Sequence, residues 1–195
     1  MITTKLLMGY LGGSILFVGF IVYLRAIVRG AVTSNRVTWG VWVLVQALFA
    51  ASYYESVGFV SSIWIPLVYL LGTFLVFIFL LKYGNRGYWS WVEKGSIIGV
   101  FLILLLWYIY QSSLTALTLT LFIDILGAIP LVVTVWKNPT ADYAPAWYFG
   151  FASNTLNLFA IEKWDYANAV YPTYLALMTL VISILLALPR NKHDS

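Results

Sequence analysis

Apolar residues run along this chain in seven blocks, separated by short polar stretches. They fall at about residues 6–28, 37–54, 62–81, 91–110, 114–136, 145–161 and 167–188. A helix of about 20 apolar residues spans the hydrocarbon core of a bilayer. Backbone polar groups in lipid must bond within their own segment, so the pattern predicts seven spanning α-helices and no strands. The stretches between the blocks are punctuated by helix-ending residues: Arg29 and Gly30 after the first, Gly84 and Asn85 after the third, and Lys137, Asn138 and Pro139 after the fifth. Connections this short make neighbouring spans antiparallel. The first block is too long for the apolar region of a secretory leader and lacks a clear small-residue cleavage site, so it is expected to be the first span.

Charge adds an orientation. With seven spans, one face of the membrane receives Arg25, Arg29, Arg36, Lys82, Arg86, Lys94, Lys137, Arg190 and Lys192, and the other only Lys5 and Lys163. Cytoplasmic loops carry the excess of lysine and arginine. The expected N-terminus is therefore outside and the C-terminus cytoplasmic. Trp39, Trp89, Trp91, Trp107, Tyr108, Trp136 and Trp164 gather at span ends, as an interfacial aromatic belt requires.

Composition removes whole classes of function. Of the 195 residues 62% are apolar and 9% charged, against about 25% charged in soluble domains. The chain has no cysteine and one histidine, His193, in a polar tail. Thiol chemistry, cysteine zinc sites, haem ligation and a Ser-His-Asp triad lack their parts, so no enzyme and no cofactor or metal is expected. A retinal photoreceptor needs a lysine in its last span, and residues 167–188 hold none. Nothing in the charge pattern points to nucleic acid. The expected partners are the lipid bilayer and a small polar solute, with self-association into a homo-oligomer left open.

The chain also repeats. Gly19, Arg29, Trp39, Gln46 and Leu48 match Gly127, Lys137, Trp147, Asn154 and Leu156 at one constant offset. The next loop shortens by two residues, after which Pro66, Thr73, Ile78, Asn85 and Arg86 match Pro172, Thr179, Ile184, Asn191 and Lys192. Three-span halves would be inverted if directly joined; the aliphatic fourth span restores the direction. The expected fold is thus an all-α membrane protein in which two parallel three-helix repeats, about 6–86 and 114–190, are joined by a linker helix at about 89–110. Parallel repeats about an axis along the membrane normal are a transporter architecture.

The second half carries Gly127, Ala128, Ile129, Pro130 and Leu131, then Trp136, Lys137, Asn138 and Pro139, then Ala146, Trp147 and Asn154. With the 3+1+3 layout and small size, this resembles the SWEET and PQ-loop superfamily. The likeness covers nearly the whole chain in layout and is specific over about 40 residues of the second half. It departs from the family where Leu131 rather than glutamine follows Pro130, and where Val22 stands at the matching place in the first repeat. The resemblance implies solute transport between the two repeats. Vitamin transporters for nicotinamide riboside, which share a related fold and aromatic pockets, are a second comparison.

Few residues can carry chemistry. Asp124 is the only carboxylate deep in a span, where a charged group costs at least ~2.5 kcal/mol; it is a candidate proton-binding or solute-binding group, against a reading as a structural acid bonded to Thr120 or a neighbouring helix. Asn154 and Asn157 share a helix face, and Gln46 is the repeat partner of Asn154. These amides suit a neutral polar ligand, or else they bond helix to helix. Trp147 and Tyr174 join them as candidate substrate-binding residues, and Pro66, Pro130 and Pro172 are candidate hinges. Tyr53, Tyr54, Tyr171 and Tyr174 lie toward the outer side, where they read first as belt residues and second as rings able to stack on a sugar or heterocycle. Gly9, Gly12 and Gly13 read as a close helix contact, and Glu162, Lys163 and Asp165 as a solvated outer turn. The leading expectation is a transporter or facilitator of a small polar, sugar-like or nucleoside- or vitamin-like solute. The alternative is a membrane sensor, scaffold or assembly protein that transports nothing.

Overall fold

The computed structural model describes residues 2–32, 36–83, 91–140 and 142–188, and all regular structure in them is helical. Seven α-helices follow one another: α1 (Ile2–Val28), α2 (Arg36–Val57), α3 (Trp64–Tyr83), α4 (Trp91–Tyr110), α5 (Ser113–Lys137), α6 (Ala144–Ala160) and α7 (Tyr166–Ala187), with a 3-10 turn at Ser61–Ile63 leading into α3. Each apolar block of the sequence thus became one helix. Asn85, Arg86, Trp89, Arg190, Asn191, Lys192 and His193 lie outside the described residues.

Local chemistry sets the ends. Gly30 adopts φ +68, its N–H reaches the Ile27 carbonyl at 3.0 Å and that of Ala31 reaches Ala26 at 2.9 Å. This pair of bonds closes α1 and needs a residue tolerant of positive φ. The Ser112 hydroxyl caps α5 by accepting from the Thr115 amide at 3.3 Å. Asp165 caps α7 by accepting from the Asn168 amide at 3.0 Å, and Pro145 occupies the first turn of α6, where its missing N–H costs nothing.

Four helices, α1, α3 with its 3-10 lead-in, α5 and α7, are long and apolar enough to cross a membrane unaided. They mark the chain as an integral membrane protein. The other three fall short of that measure for visible reasons. Helix α6 has 17 residues and buries Ser153, Asn154 and Asn157, α2 buries Gln46 and Ser52, and the described apolar part of α4 is Ile97–Tyr110. These buried polar groups of α2 and α6 point into the protein, while Glu55 of α2 is exposed and Phe101, Leu126, Phe159 and Leu177 are exposed on the outside of the bundle.

Helix α3 packs against both α1 and α2, and α7 packs against both α5 and α6. The first half of the chain meets the second chiefly through α1 on α6 and α2 on α5. Helix α4 rests against α5 and α2 and exposes Ile98, Phe101, Leu102, Leu105, Tyr108 and Ile109. Gly9, Gly12 and Gly13, expected to allow close approach, do so, with Trp64 of α3 3.3 Å from a side chain added at Gly13, and Gly19, read in sequence only as a repeat position, joins them. A side chain on Gly12 would come 3.2 Å from the Ser153 carbonyl and one on Gly19 2.8 Å from Phe149, both on α6, while one on Gly9 would run into the Ser61 carbonyl.

The prolines act differently from one another. Pro66 is buried in the first turn of α3, where no helical hydrogen bond is lost; it does not break a helix, which removes the reason to read it as a hinge. Pro130 lies within α5. Pro172 is interior to α7 and so leaves the Asn168 carbonyl without its helical donor. That carbonyl accepts from the Tyr53 hydroxyl of α2 at 3.0 Å.

Gly9→Ala tests the close approach of α1 to the 3-10 turn. Backbone cannot yield as a side-chain tip can, so overpacking there is expected to cost about 1–3 kcal/mol, read as a lower unfolding temperature in detergent; an unchanged value would refute the contact.

Candidate functional site

A cavity of about 120 Å³ lies between the two halves. It is walled by the C-terminal half of α1, the first half of α2, the centre of α3, the N-terminal part of α6 and the middle and later turns of α5 and α7. These segments place it from mid-depth toward the end that bears Arg25, Arg29, Arg36 and Lys137. One wall is aromatic and comes from the first half of the chain. The rings of Tyr23 and Trp39 lie 5.2 Å apart, Trp39 and Trp42 meet edge to face at 5.2 Å, and Phe20 meets Tyr69 edge to face at 5.9 Å. The facing wall from the second half offers small or aliphatic residues, Ala128, Leu131, Gly150 and Leu175, with Trp147 and Asp124 among them.

The expected site residues divide. Gln46, Asp124 and Trp147 line the cavity. Gln46 is buried, and its Oε1 has no hydrogen-bond partner. Tyr174 does not line it, but its hydroxyl donates to Asp124 Oδ2 at 2.5 Å. Thr120, weighed as the partner of Asp124, instead donates to the Ala116 carbonyl of its own helix at 2.7 Å. Asn154 stands behind the wall, where its amide donates to the Tyr69 hydroxyl at 2.8 Å and to Thr179 Oγ1 at 3.3 Å; both partners line the cavity. Asn157 is fully buried away from it, with neither amide atom partnered.

Some residues of the site were not foreseen. Trp39 looks like a belt tryptophan in sequence but faces the cavity. Tyr23, Trp42, Tyr69 and Thr73 also line it. Asp142, in the loop before α6, accepts from the Trp147 indole at 3.1 Å and from its neighbour's amide at 2.7 Å, and it also hydrogen-bonds the Tyr23 hydroxyl. It therefore holds two wall residues from opposite halves at the basic end. Burial pushes its carboxyl above the ordinary range against the pull of these bonds. The sequence signal available was a lone acid five residues before a repeat-matched tryptophan.

The opposite end is sealed. Tyr53 and Tyr171 are fully buried, so neither belongs to the aromatic belt. Their rings lie 5.5 Å apart, Phe49 packs on Tyr171 at 4.7 Å, and the Tyr53 hydroxyl shares a hydrogen bond with Ser62 at 2.7 Å. The turn expected to be merely solvated is a clasp. Glu162 accepts from the Ser61 hydroxyl at 2.6 Å and from its amide at 2.9 Å. Lys5 donates to the Ile161 and Glu162 carbonyls at 2.8 and 2.9 Å, and Lys163 pairs with Asp165 at 2.9 Å. Inside this sealed end lie several buried atoms without partners: the Asn157 amide, the Tyr171 hydroxyl and the Trp64 indole N–H.

No family model matches this chain, and neither a curated protein nor a solved structure is similar to it.

Two measurements follow from this geometry. Asn154→Ala leaves the Tyr69 hydroxyl and Thr179 short of a donor and is expected to cost about 1–3 kcal/mol of stability, whereas Gln46→Ala, which removes no protein hydrogen bond, is expected to leave unfolding nearly unchanged. Equal losses would place both amides in the framework. The clasp predicts acid sensitivity. The Ser61 hydroxyl holds Glu162 below its ordinary value, and the Asn168 amide, followed by Lys163, holds Asp165 down to about 2. Groups lowered on folding contribute fully above their unfolded values, and that contribution is lost as pH falls through the folded ones. Between pH 5 and 3 the unfolding temperature should drop more in the native protein than in Glu162→Gln; identical curves would discard the clasp.

Proposed function

We propose that this chain is a transporter or facilitator of a small polar solute, built as two parallel three-helix repeats joined by α4 and working by alternating access. The observation that carries the reading is the origin of the cavity walls. At the two offsets of the sequence repeat, the lining residues pair across the halves: Leu16 with Asp124, Phe20 with Ala128, Tyr23 with Leu131, Trp39 with Trp147, Trp42 with Gly150, Tyr69 with Leu175 and Thr73 with Thr179. Equivalent positions meeting around one space is what a pseudo-twofold axis through a central solute site requires. The helix contacts support it too. Exchanging the halves turns α1 on α6 into α5 on α2, and α3 between α1 and α2 into α7 between α5 and α6; all of these contacts occur.

The sealed end supports alternation. In lipid an unsatisfied polar group costs several kcal/mol, and the Asn157 amide and Tyr171 hydroxyl are such groups. A second arrangement in which this end parts would wet them, so the closed end holds part of the energy that opens it. The basic asymmetry of the loops puts the cavity on the cytoplasmic side, with the N-terminus outside, and α2, α4 and α6 crossing the membrane beside the four self-sufficient helices. The layout shared with the SWEET and PQ-loop superfamily points the same way.

Because the chain lacks cysteine, single cysteines report topology cleanly. A cysteine at Ser113 should label from outside and one at Thr140 only after permeabilisation; the reverse pattern overturns the orientation. For transport, a thermal-shift screen of sugars, nucleosides and vitamins identifies a binder by mass action, and counterflow in proteoliposomes follows it. Flux that disappears in Trp39→Ala is expected. A solute that binds in the cavity but never crosses would overturn transport and leave a sensor.

A further inference from the structure

We infer that the solute is a small planar organic cation bearing N–H donors, an amidinium, guanidinium or aromatic ammonium, with Asp124 as its counter-ion. This rests on the cavity being the solute site. Three features lead to it. The first is charge. Asp124 lines the cavity, its Oδ2 accepts from Tyr174, and its Oδ1 takes no bond from any described residue; no lysine or arginine stands among the lining residues. A carboxylate so placed has its anion addressed to the cavity and no protein cation to meet it.

The second is hydrogen-bonding sense. Besides Asp124 Oδ1, Gln46 also lines this space, and its buried Oε1 is without a partner. Two unfilled acceptors call for a ligand rich in donors, which a sugar meets only with hydroxyls that also demand acceptors, and which an amidinium or guanidinium meets with N–H groups alone. The third is the wall. Phe20, Tyr23, Trp39, Trp42 and Tyr69 line one side, and over the face of such a ring a cation is attracted by the ring quadrupole. The repeat accounts for the space in front of them, since the partners of Phe20, Trp42 and Tyr69 are Ala128, Gly150 and Leu175. At about 120 Å³ the room is somewhat below the ~150 Å³ of a cavity that takes one benzene, so the ligand must be small.

Benzamidinium and benzamide test this, since they share shape and ring and differ in charge and donor count. Titrating each into the purified full-length protein, followed by tryptophan fluorescence and by calorimetry, should show benzamidinium binding roughly tenfold or more tighter. Asp124→Asn should bring the two ligands to similar affinity. Gln46→Leu, which leaves the carboxylate in place, should weaken benzamidinium by a smaller factor. Equal binding of both ligands to the native protein, or binding of neither, overturns the assignment, and this comparison holds even if the Asp124 variant does not fold. The two readings fail separately. A neutral solute that is carried and whose affinity ignores Asp124→Asn ends the cation while keeping transport. Benzamidinium bound through Asp124 in a protein that passes no solute keeps the cation and ends transport.

Discussion

The closeness of α1 to α6 is the contact on which the rest of the architecture depends. Lipid tails are as apolar as leucine, so no hydrophobic force draws spanning helices together; small residues and hydrogen bonds must do it. Here Gly12 and Gly19 let the backbone of α1 lie against Ser153, Phe149 and Ala146 of α6, and the Ser153 hydroxyl donates to the Gly12 carbonyl at 2.8 Å. This is the broad joint between the two halves of the chain. Seen from it, the cavity is what happens where the same two helices stop fitting: below Gly19, α1 presents Phe20 and Tyr23, and rings replace glycine. Tight packing at one end of the joint and bulky rings at the other give a bundle that is closed at the end of the Glu162 clasp and hollow toward the basic end.

Much of this was legible along the chain because lipid makes the rules simple. Block length and the demand that each backbone satisfy itself located all seven helices, and glycines and prolines located their ends. Gly9, Gly12 and Gly13 were legible as a contact because small residues are what let spanning helices approach, whereas Gly19, the fourth glycine of α1, showed in sequence only as a repeat position. The direction in which a ring points was not. Tyr53 and Tyr54 are neighbours at the end of one helix; the first is wholly buried and the second exposed. Nothing in a helix that is apolar on all sides reveals which azimuth faces protein. Trp39 was hidden in the same way among tryptophans that do lie exposed, such as Trp91, Trp136 and Trp164. Pairings across the bundle were equally out of reach, since Asp124 with Tyr174 and Asn154 with Tyr69 join residues far apart in sequence.

Asn154 shows how a motif position and a site position can part company. As the repeat partner of Gln46 it should stand at the cavity wall, and Gln46 does. But Tyr69, the partner position of Leu175, brings a hydroxyl to Asn154 and covers it. The amide has become a support for the aromatic wall, held further by Thr179, which is itself bonded to the Leu175 carbonyl at 2.7 Å. The polar character of that helix face survives, while its reach to the cavity passes to the tyrosine in front of it.

That exchange is one case of a wider asymmetry. Of the lining pairs related by the repeat, only tryptophan with tryptophan and threonine with threonine keep their type, Trp39 with Trp147 and Thr73 with Thr179. Elsewhere the first half carries the larger side chain and the second the smaller, and Asp124 of the second half stands at the position matching Leu16. A cavity on a true twofold would face any ligand with two equal walls and would suit a symmetric or non-selective occupant. Here one wall can stack and the other can pair a charge, so a ligand gains most by lying with one face on the rings and one edge toward Asp124. On the proposed reading, duplication supplied a hinge-symmetric frame that can rock, and divergence of the two walls supplied the selectivity. The frame and the walls answer to different constraints: the order of helix contacts is the same in both halves and closes the bundle, whereas the residues that face the cavity differ from one half to the other.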